Sequence, residues 1–510
     1  MRMEIRGARR WMAGWAVALA LVNGSATAAA LTAPYVLQGL QPGGESIRYA
    51  AGADGGLMAL AGRPDLQTGT VSRFDRNGQL LFSHSMAADW NDIASDRLGN
   101  YVTANVTSQG VFAAVFNRNG TAIVPRFQVS ARAQTQTLQV AMNESGMFVV
   151  VYNTSAVQPS APTIHSTYAR VFNRDGSART SEFLIATGNP ETHVHSWALA
   201  IDGAGTFTVS LLRVPPGRGE QRIVRYNRDG VYQGGIDDPT GRAINGEMVG
   251  ESANLAANSA GQHVFGWGGI IVSTRISSAR MQRFDATGGW LGSQVLLGRD
   301  PDGSRALAHS EAKVAIAGDG RTLAVWSRRS SYSDLYAQWN VYGREFRADG
   351  TPLGDEFRID TAPASALLYP DTLDVLMTAD GQYTVTWAET DGGQQRRLAR
   401  RYRMEGGPAV QTLSSGVPIG GLSGAINSFQ YFRFTVPPNT PSFTLTLSGA
   451  GDADMFVKYG EPPNLYSYDI ATGIAGSNEG ALVNNPPAGD FYVGVFGYSA
   501  YSGVSLQADW

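Results

Sequence analysis

A five-residue motif recurs through most of this chain, and no other feature of the sequence restricts the fold as tightly. An aromatic residue is followed by three mostly polar residues and a glycine. It stands as Phe74-Asp-Arg-Asn-Gly78, Phe116-Asn-Arg-Asn-Gly120, Phe172-Asn-Arg-Asp-Gly176 and Tyr226-Asn-Arg-Asp-Gly230. Looser copies follow at Phe284-Asp-Ala-Thr-Gly288, Phe346-Arg-Ala-Asp-Gly350 and Tyr402-Arg-Met-Glu-Gly406. Successive aromatics lie 42, 56, 54, 58, 62 and 56 residues apart. A period of that size marks repeated supersecondary units, each too small to bury its own apolar face.

A second motif precedes each copy: a polar turn ending in glycine, then an apolar run. Gly99, Gly146, Gly205, Gly261, Gly320 and Gly381 end six of these turns, and Asp54-Gly55 is the first of the seven. The runs after them include Met147-Phe-Val-Val-Val-Tyr152, Thr322-Leu-Ala-Val-Trp326 and Tyr383-Thr-Val-Thr-Trp387. Asn-Gly and Asp-Gly supply the positive φ of a tight hairpin. β-Branched and aromatic residues on either side suit a pleated surface. Each repeat therefore reads as four strands, the second apolar on both faces, as a sheet stacked between two others requires. The fourth strand is visible at Phe127-Gln-Val129, Phe183-Leu-Ile185, Val295-Leu-Leu297 and Phe357-Arg-Ile359. Gly is abundant, at 61 of 510 residues, and charge is low at 16%, which fits many short strands joined by tight turns.

The expected fold class is all-β: a seven-bladed β-propeller over residues 31–406, followed by a small β-sandwich. A six- or eight-bladed ring and an open solenoid are the alternatives. After Gly406 the seventh copy meets Gly407-Pro408 in place of a fourth strand. Tyr35-Val-Leu-Gln-Gly39 stands ahead of the first repeat and is expected to supply that strand.

Residues 1–30 read as an export leader. Basic residues between Arg2 and Arg10 precede an apolar run from Trp11 to Val22, and small residues close it, with cleavage expected near Ala28 to Ala30. The apolar run is too short to cross a bilayer, and no later stretch reaches spanning length. There is no cysteine, which rules out disulfides, thiol chemistry and cysteine-bound zinc. Net charge is −3, without the basic excess of a nucleic-acid partner.

Residues 407–410 read as a linker, and after them the repeat stops. Tyr431-Phe-Arg-Phe-Thr-Val-Pro437 and Phe443-Thr-Leu-Thr-Leu-Ser-Gly449 alternate as half-buried strands do. Gly451-Asp-Ala-Asp-Met-Phe-Val457, Ser477-Asn478-Glu479, Pro487-Ala-Gly-Asp-Phe-Tyr-Val493 and Tyr501-Ser-Gly-Val-Ser-Leu506 follow in order. Residues 411–510 resemble the bacterial pre-peptidase C-terminal (PPC) domain. The resemblance implies a jelly-roll-like sandwich that aids secretion, processing or attachment to insoluble substrate. In the family this domain usually follows a secreted peptidase, and no recognisable peptidase precedes it here.

Asp452, Asp454 and Glu479 are candidate calcium ligands, since hard carboxylates beside a glycine-rich turn suit that ion. The other reading is that they accept backbone N–H bonds and pin the turns. No G-x-S-x-G elbow and no H-E-x-x-H pair occurs. Of the six histidines only His193 and His195 are close-spaced, and on a strand both would face one way. Trp267, Trp326 and Trp387 share a position six residues after the turn glycine. They are candidate ligand-binding platforms for sugar rings, or packing between blades. Arg328-Arg329 and the run from Arg396 to Arg401 suit anionic glycans, or simply solvate a blade edge. Together these features read as a secreted, non-catalytic binding or adhesion protein, expected to be monomeric, whose partner is a polysaccharide or an extracellular protein. A hydrolase or polysaccharide lyase with its site in the propeller funnel is the alternative, as is a peptidase-associated or envelope-assembly role. Carboxylates gathered in the funnel with raised pKa values would favour the enzyme.

Overall fold

The computed structural model describes residues 28–510 except 41–45, 53, 64–67, 88–89, 133, 159–160, 190–192, 215–219, 238–246, 272–275, 298–311, 330–337, 364–365, 405–409, 425–427, 460–462 and 464–467. The predicted leader lies outside them but for Ala28, Ala29 and Ala30, and the predicted linker but for Val410. Among the described residues there are strands and no helix.

The repeat turns fold as their residue types dictate. The residue that opens each turn brings its side-chain oxygen back onto the loop. Asp96 Oδ1 accepts from the N–H groups of Leu98 at 2.8 Å and Asn100 at 2.9 Å. Asn143 Oδ1 accepts from Ser145 at 3.1 Å and Met147 at 3.0 Å. The aromatic-led motif uses the same device: Asp75 takes Asn77 and Gln79, each at 2.8 Å, and Asp285 takes Thr287 and Gly289, each at 2.8 Å. The glycine that follows adopts φ near +80°, as at Gly78 (+84°) and Gly288 (+89°), a region costly to any residue with a Cβ. Some turns open on a residue without a carboxylate or carboxamide: Gly52, Ala317 and Arg347. There an aspartate two positions on does the work. Asp54, Asp319 and Asp349 accept the N–H of Gly56 (3.0 Å), Arg321 (3.1 Å) and Thr351 (2.8 Å).

Two such turns per unit give antiparallel sheets with strands in chain order. Sheets 1 to 6 occupy residues 46–87, 90–130, 135–187, 193–237, 247–297 and 313–358, each with four strands. Sheet 7 takes three strands from 367–403 and adds Ala29–Ala30 and Tyr35–Val36, both against its third strand. Tyr35 stands opposite Ala399 and Val36 opposite Leu398, where the sequence places a fourth strand. Ala29 and Ala30, inside the predicted leader, pair with Arg403 and Tyr402.

The first strands are Ser46–Ala51, Trp90–Ser95, Thr135–Met142, His193–Ile201, Glu247–Ala257, Lys313–Ile316 and Leu367–Met377. Each touches the next, and the last touches the first. Second strands are buried along nearly their whole length, as in Tyr101–Thr107 and Thr322–Arg329. Apolar layers form between neighbouring sheets. Val102, Val106 and Val115 of sheet 2 pack with Val140, Phe148, Val150 and Tyr152 of sheet 3. Each such side chain contributes roughly 1.5–3 kcal/mol.

Arginines lock the sheets together at the turns. Arg225 of sheet 4 donates to the Ala286 carbonyl of sheet 5, and Arg283 of sheet 5 to the Ala348 carbonyl of sheet 6. Both guanidinium groups lie beside a turn glycine. A Cβ at Gly350 would come within 2.6 Å of Arg283 Nη1.

Residues 411–509 form a separate pair of sheets. One holds Gln411–Thr412, Phe429–Val436, Gly489–Gly497, Ala453–Tyr459 and Ile470–Thr472, in that order. The other holds Ile419–Gly424, Tyr501–Asp509, Ser442–Ala450 and Glu479–Asn484 in pairing order 419–424, 501–509, 442–450, 479–484. Phe432, Phe434, Phe443, Leu445, Val493 and Leu506 fill the space between them, the sandwich expected from the alternation.

Gly350→Ala is expected to destabilise the protein by about 1–2 kcal/mol from backbone strain alone, and by more because Arg283 must move. Gly292→Ala carries the strain without the clash, since φ is +72° there with no atom near a Cβ. Urea unfolding of both variants checks this: the Gly350 variant should lose more.

Candidate functional site

The first strands share a further regularity. Four residues before each turn-opening residue stand Arg48, Asp92, Gln139, Ala198, Asn254, Lys313 and Asp374, one per sheet. Six of the seven are polar, in strands otherwise rich in Ala, Val, Ile and Leu. Lys313 is one of two lysines in the chain. Because the first strands touch in series, these residues gather where all seven sheets converge.

Two of them tie one sheet to the next. Asp92 Oδ2 accepts the N–H of Val140 at 2.8 Å, and its Oδ1 accepts that of Ile93 at 2.9 Å. Asn254 Oδ1 accepts the N–H of Val314 at 2.8 Å, the same bond made by an amide. Burial pushes the Asp92 carboxyl up to about 6; Arg48 and the two backbone N–H groups oppose the shift, and the charge of Asp374 adds to it. A carboxyl poised there exchanges a proton near neutral pH, with a guanidinium and a second carboxylate in electrostatic reach.

At the turn end of the first strands lies a cavity of about 280 Å³ lined by residues of all seven sheets. Its rim carries Asp96, Asn143, Glu144, Asp202, Asn258 and Asp380, with Met142, Ile201, Ile316 and Met377 beneath. Phe429, Tyr431 and Phe496 of the C-terminal sandwich line it from the other side. Burial raises the carboxyls of Asp96, Glu144 and Asp202 above their ordinary range, and at Glu144 the neighbouring Arg97 pulls the other way. The Arg97 guanidinium stands 5.8 Å from the centre of the Phe496 ring.

The structure places the residues singled out in the sequence as follows. Trp267, Trp326 and Trp387 are 0%, 0% and 1% exposed, sealed in the layers between sheets. A platform needs an open ring face, so the packing alternative describes these indoles and the sugar-platform reading does not. Tyr152, at the matching position in sheet 3, is equally buried and donates its hydroxyl to Glu182. The carboxylates of Asp452, Asp454 and Glu479 do lie near one another: burial and the charges of Glu479 and Asp452 push Asp454 up to about 6. The oxygens of Glu479 and Asp452 are engaged by backbone N–H groups and a hydroxyl. Glu479 accepts from the N–H groups of Met455 and Ile474, each at 3.0 Å, and from the Thr472 hydroxyl; Asp452 accepts from Gly476 at 3.0 Å. Among the described residues no group of three or more His, Asp or Glu is arranged to hold a metal.

His195 meets His165 of the preceding sheet, ring centres 4.9 Å apart, and the side chain of His193 lies outside the described residues. The basic runs are internally paired: Arg328 with Glu356 at 2.6 Å, and Arg396 with Glu389 at 2.8 Å and Asp391 at 3.1 Å. Arg48, Asp92 and Asp374 were not singled out in the sequence. The signal that finds them is a polar residue at a fixed distance ahead of each turn.

The raised pKa of Asp92 carries a sign. The folded protein holds that proton more tightly than the unfolded chain, so this contribution to stability is lost as pH rises from the ordinary carboxyl range to about 6, and is constant above. Asp92→Asn keeps the acceptor oxygen, as Asn254 does, and removes the charge. Its stability relative to the parent should rise by about 1–2 kcal/mol between about pH 4 and pH 6 and then level off, read by denaturant unfolding across pH.

Comparison with known proteins concerns the C-terminal sandwich. Residues 428–497 match the bacterial pre-peptidase C-terminal domain. The chain is 37% identical over 98 residues to alkaline serine exoprotease A of Vibrio alginolyticus, covering 19% of this chain and 18% of that protein. It is 36% identical over 102 residues to a virulence metalloprotease of Vibrio anguillarum, covering 20% of this chain and 17% of that one. It thus spans under a fifth of the length of these relatives. The solution structure of vEP C-ter 100 matches at 34% identity and a TM-score of 0.18, covering 20% of this chain and 99% of that one. The C-terminal segment of this chain is therefore a bacterial pre-peptidase C-terminal domain.

Proposed function

We propose that this is an exported binding protein. A closed seven-bladed β-propeller presents charged groups along its axis to a polysaccharide or an extracellular protein, and the PPC domain serves secretion or attachment to insoluble material. The seven blades are supported by the seven consecutive sheets, and the closure by the contact of the last first strand with the first and by residues 29–36 lying on sheet 7. The accessory reading of the PPC domain is supported by its similarity to segments of a serine protease and of a metalloprotease, whose chemistries differ. A module attached to either serves something other than the reaction.

The observation that carries the binding role is the convergence of Arg48, Asp92, Lys313 and Asp374 at one register of four sheets. At Asp92 burial opposes ionisation, which is unfavourable for folding, and a polar break in an otherwise apolar pattern is where function is expected. The position of Asp92 also favours a second reading. A carboxyl titrating near 6 beside a second carboxylate suits acid–base work on a glycan held in the axis. Calcium held by Asp452, Asp454 and Glu479 would serve the attachment role.

Two measurements test this. The secreted protein is passed over cellulose, chitin, collagen and cell-wall material, with and without EDTA, and the bound fraction is assayed for glycan turnover. Retention that Arg48→Ala weakens by about tenfold supports axial binding. Loss of retention in EDTA brings calcium into the attachment step, and turnover abolished by Asp92→Asn selects the enzyme. No retention on any polymer and no turnover sinks the proposal. Intact mass reads the leader: cleavage is expected after Ala28, which keeps Ala29 and Ala30 paired with sheet 7, whereas cleavage after Ala30 would remove that pairing.

A further inference from the structure

The outer face of the PPC sandwich breaks the rule for such a fold. Strand Phe429–Val436 sends Phe432, Phe434 and Val436 into the core, so Phe429 and Tyr431 lie on the opposite face, which in a free sandwich meets water and is polar. Phe456 and Phe496 share that face. Phe429 is 4.9 Å from Phe496, 5.4 Å from Tyr431 and 5.9 Å from Phe456, ring centre to ring centre. These are outward-facing aromatics, yet Tyr431, Phe496 and Phe456 are only 4%, 3% and 8% exposed.

What covers them includes the turn end of the seven sheets. Phe429, Tyr431 and Phe496 line the same cavity as the turns of every sheet. Arg97, from the first turn of sheet 2, lies over Phe496. The Tyr431 hydroxyl is within electrostatic reach of Asp380 and Arg403, both on sheet 7. An aromatic patch this size left in water would be an association hazard; seated here it is buried.

We infer that the PPC domain is a stopper: its outer aromatic face docks on the ring of first-to-second-strand turns and closes that end of the axis. The charged groups at Arg48, Asp92, Lys313 and Asp374 lie roughly 10 Å further along the first strands. In the intact chain they are approached from the opposite end, where second strands meet third strands. Separation of the domain uncovers the acidic rim of Asp96, Glu144, Asp202 and Asp380. The docking stands whether or not the axis binds a ligand.

The absence of cysteine makes the test direct, because one introduced thiol is a unique probe. Ala257 lines the cavity, and Asn119 sits outside it on the exposed third-to-fourth-strand turn of sheet 2. In the full chain, Ala257→Cys should react with a polymer-linked maleimide of about 5 kDa at least tenfold more slowly than Asn119→Cys. Arg97→Glu removes the cation from Phe496 and sets a like charge beside Glu144, without touching the sandwich core. It should restore much of the labelling rate at position 257, as should cutting at a protease site placed within 405–409 and removing the released domain. Intrinsic tryptophan fluorescence, to which the buried Trp267, Trp326 and Trp387 contribute, verifies that the sheets stay folded. Equal rates at the two positions in the uncut parent would overturn the inference. So would protection at position 257 that survives both Arg97→Glu and removal of the domain.

Discussion

The hydrogen bond on which this molecule depends most is made by a side-chain oxygen to its own turn. The carboxylate or carboxamide that opens a turn takes two backbone N–H groups, two and four residues on, and so fixes the loop that lets a glycine sit at positive φ. The bond recurs in the first-to-second and the third-to-fourth turn of a sheet, at one and the same end, which sets strand register and hence which residues face a neighbouring sheet. Asp54, Asp319 and Asp349 show that the requirement is for an acceptor and not for a particular position. Where the opening residue cannot accept, an aspartate two residues on does so. The arginine latches follow from the same turn, since a glycine without a Cβ leaves room for the guanidinium of the adjacent sheet. Turn chemistry and contact between sheets are in this way one device.

That coupling explains what the sequence made legible. Asn-Gly and Asp-Gly turns are written in adjacent residues, so the seven units, their four strands and the docking of Tyr35–Val36 on sheet 7 could all be read from spacing. The PPC sandwich was legible for the same reason: alternation along 431–437 and 443–449 is local. The role of the tryptophans was not. Trp267, Trp326 and Trp387 share a register, and register alone does not say whether a side chain lies between two sheets or at a rim. The second strands are apolar on both faces, which is the signature of a strand covered on both sides, and that pattern argues for packing. The residue run Phe429-Gln-Tyr-Phe was also only half informative. Its excess of aromatics is visible, while the surface that covers them is assembled from turns of all seven sheets, spread from Ala51 to Asp380.

The charged positions ahead of each turn illustrate a different limit. Arg48 and Asp92 are 44 residues apart and Lys313 and Asp374 are 61 apart, with 221 between the two pairs, and each alone is an ordinary polar residue in a strand. Only the turn device, by aligning the first strands, turns four unrelated positions into one environment. Asp92 and Asn254 then show how the fold uses such a position: the oxygen ties one sheet to the next whether or not it carries charge. The amide makes the bond at sheet 5, so the charge at sheet 2 is more than the bond requires. An excess of that kind, with burial holding the carboxyl near 6, is the reason to look for function at the axis and not among the sealed indoles.

The same reasoning joins the two halves of the chain. A turn-lined end rich in carboxyls is a poor surface for an apolar face, unless the partner brings aromatic rings and the rim brings a cation. Arg97 supplies that cation between Glu144 and Phe496, satisfying a carboxylate on one side and a ring face on the other. The cavity left between rim and sandwich shows that the fit is made at its edges, by turns whose shape the hydrogen bonds already fix. A rigid rim is what allows a second domain to dock without a strand of its own joining the seven sheets. No backbone ladder crosses between the sandwich and the seven sheets among the described residues, as the proposed docking of a removable domain requires.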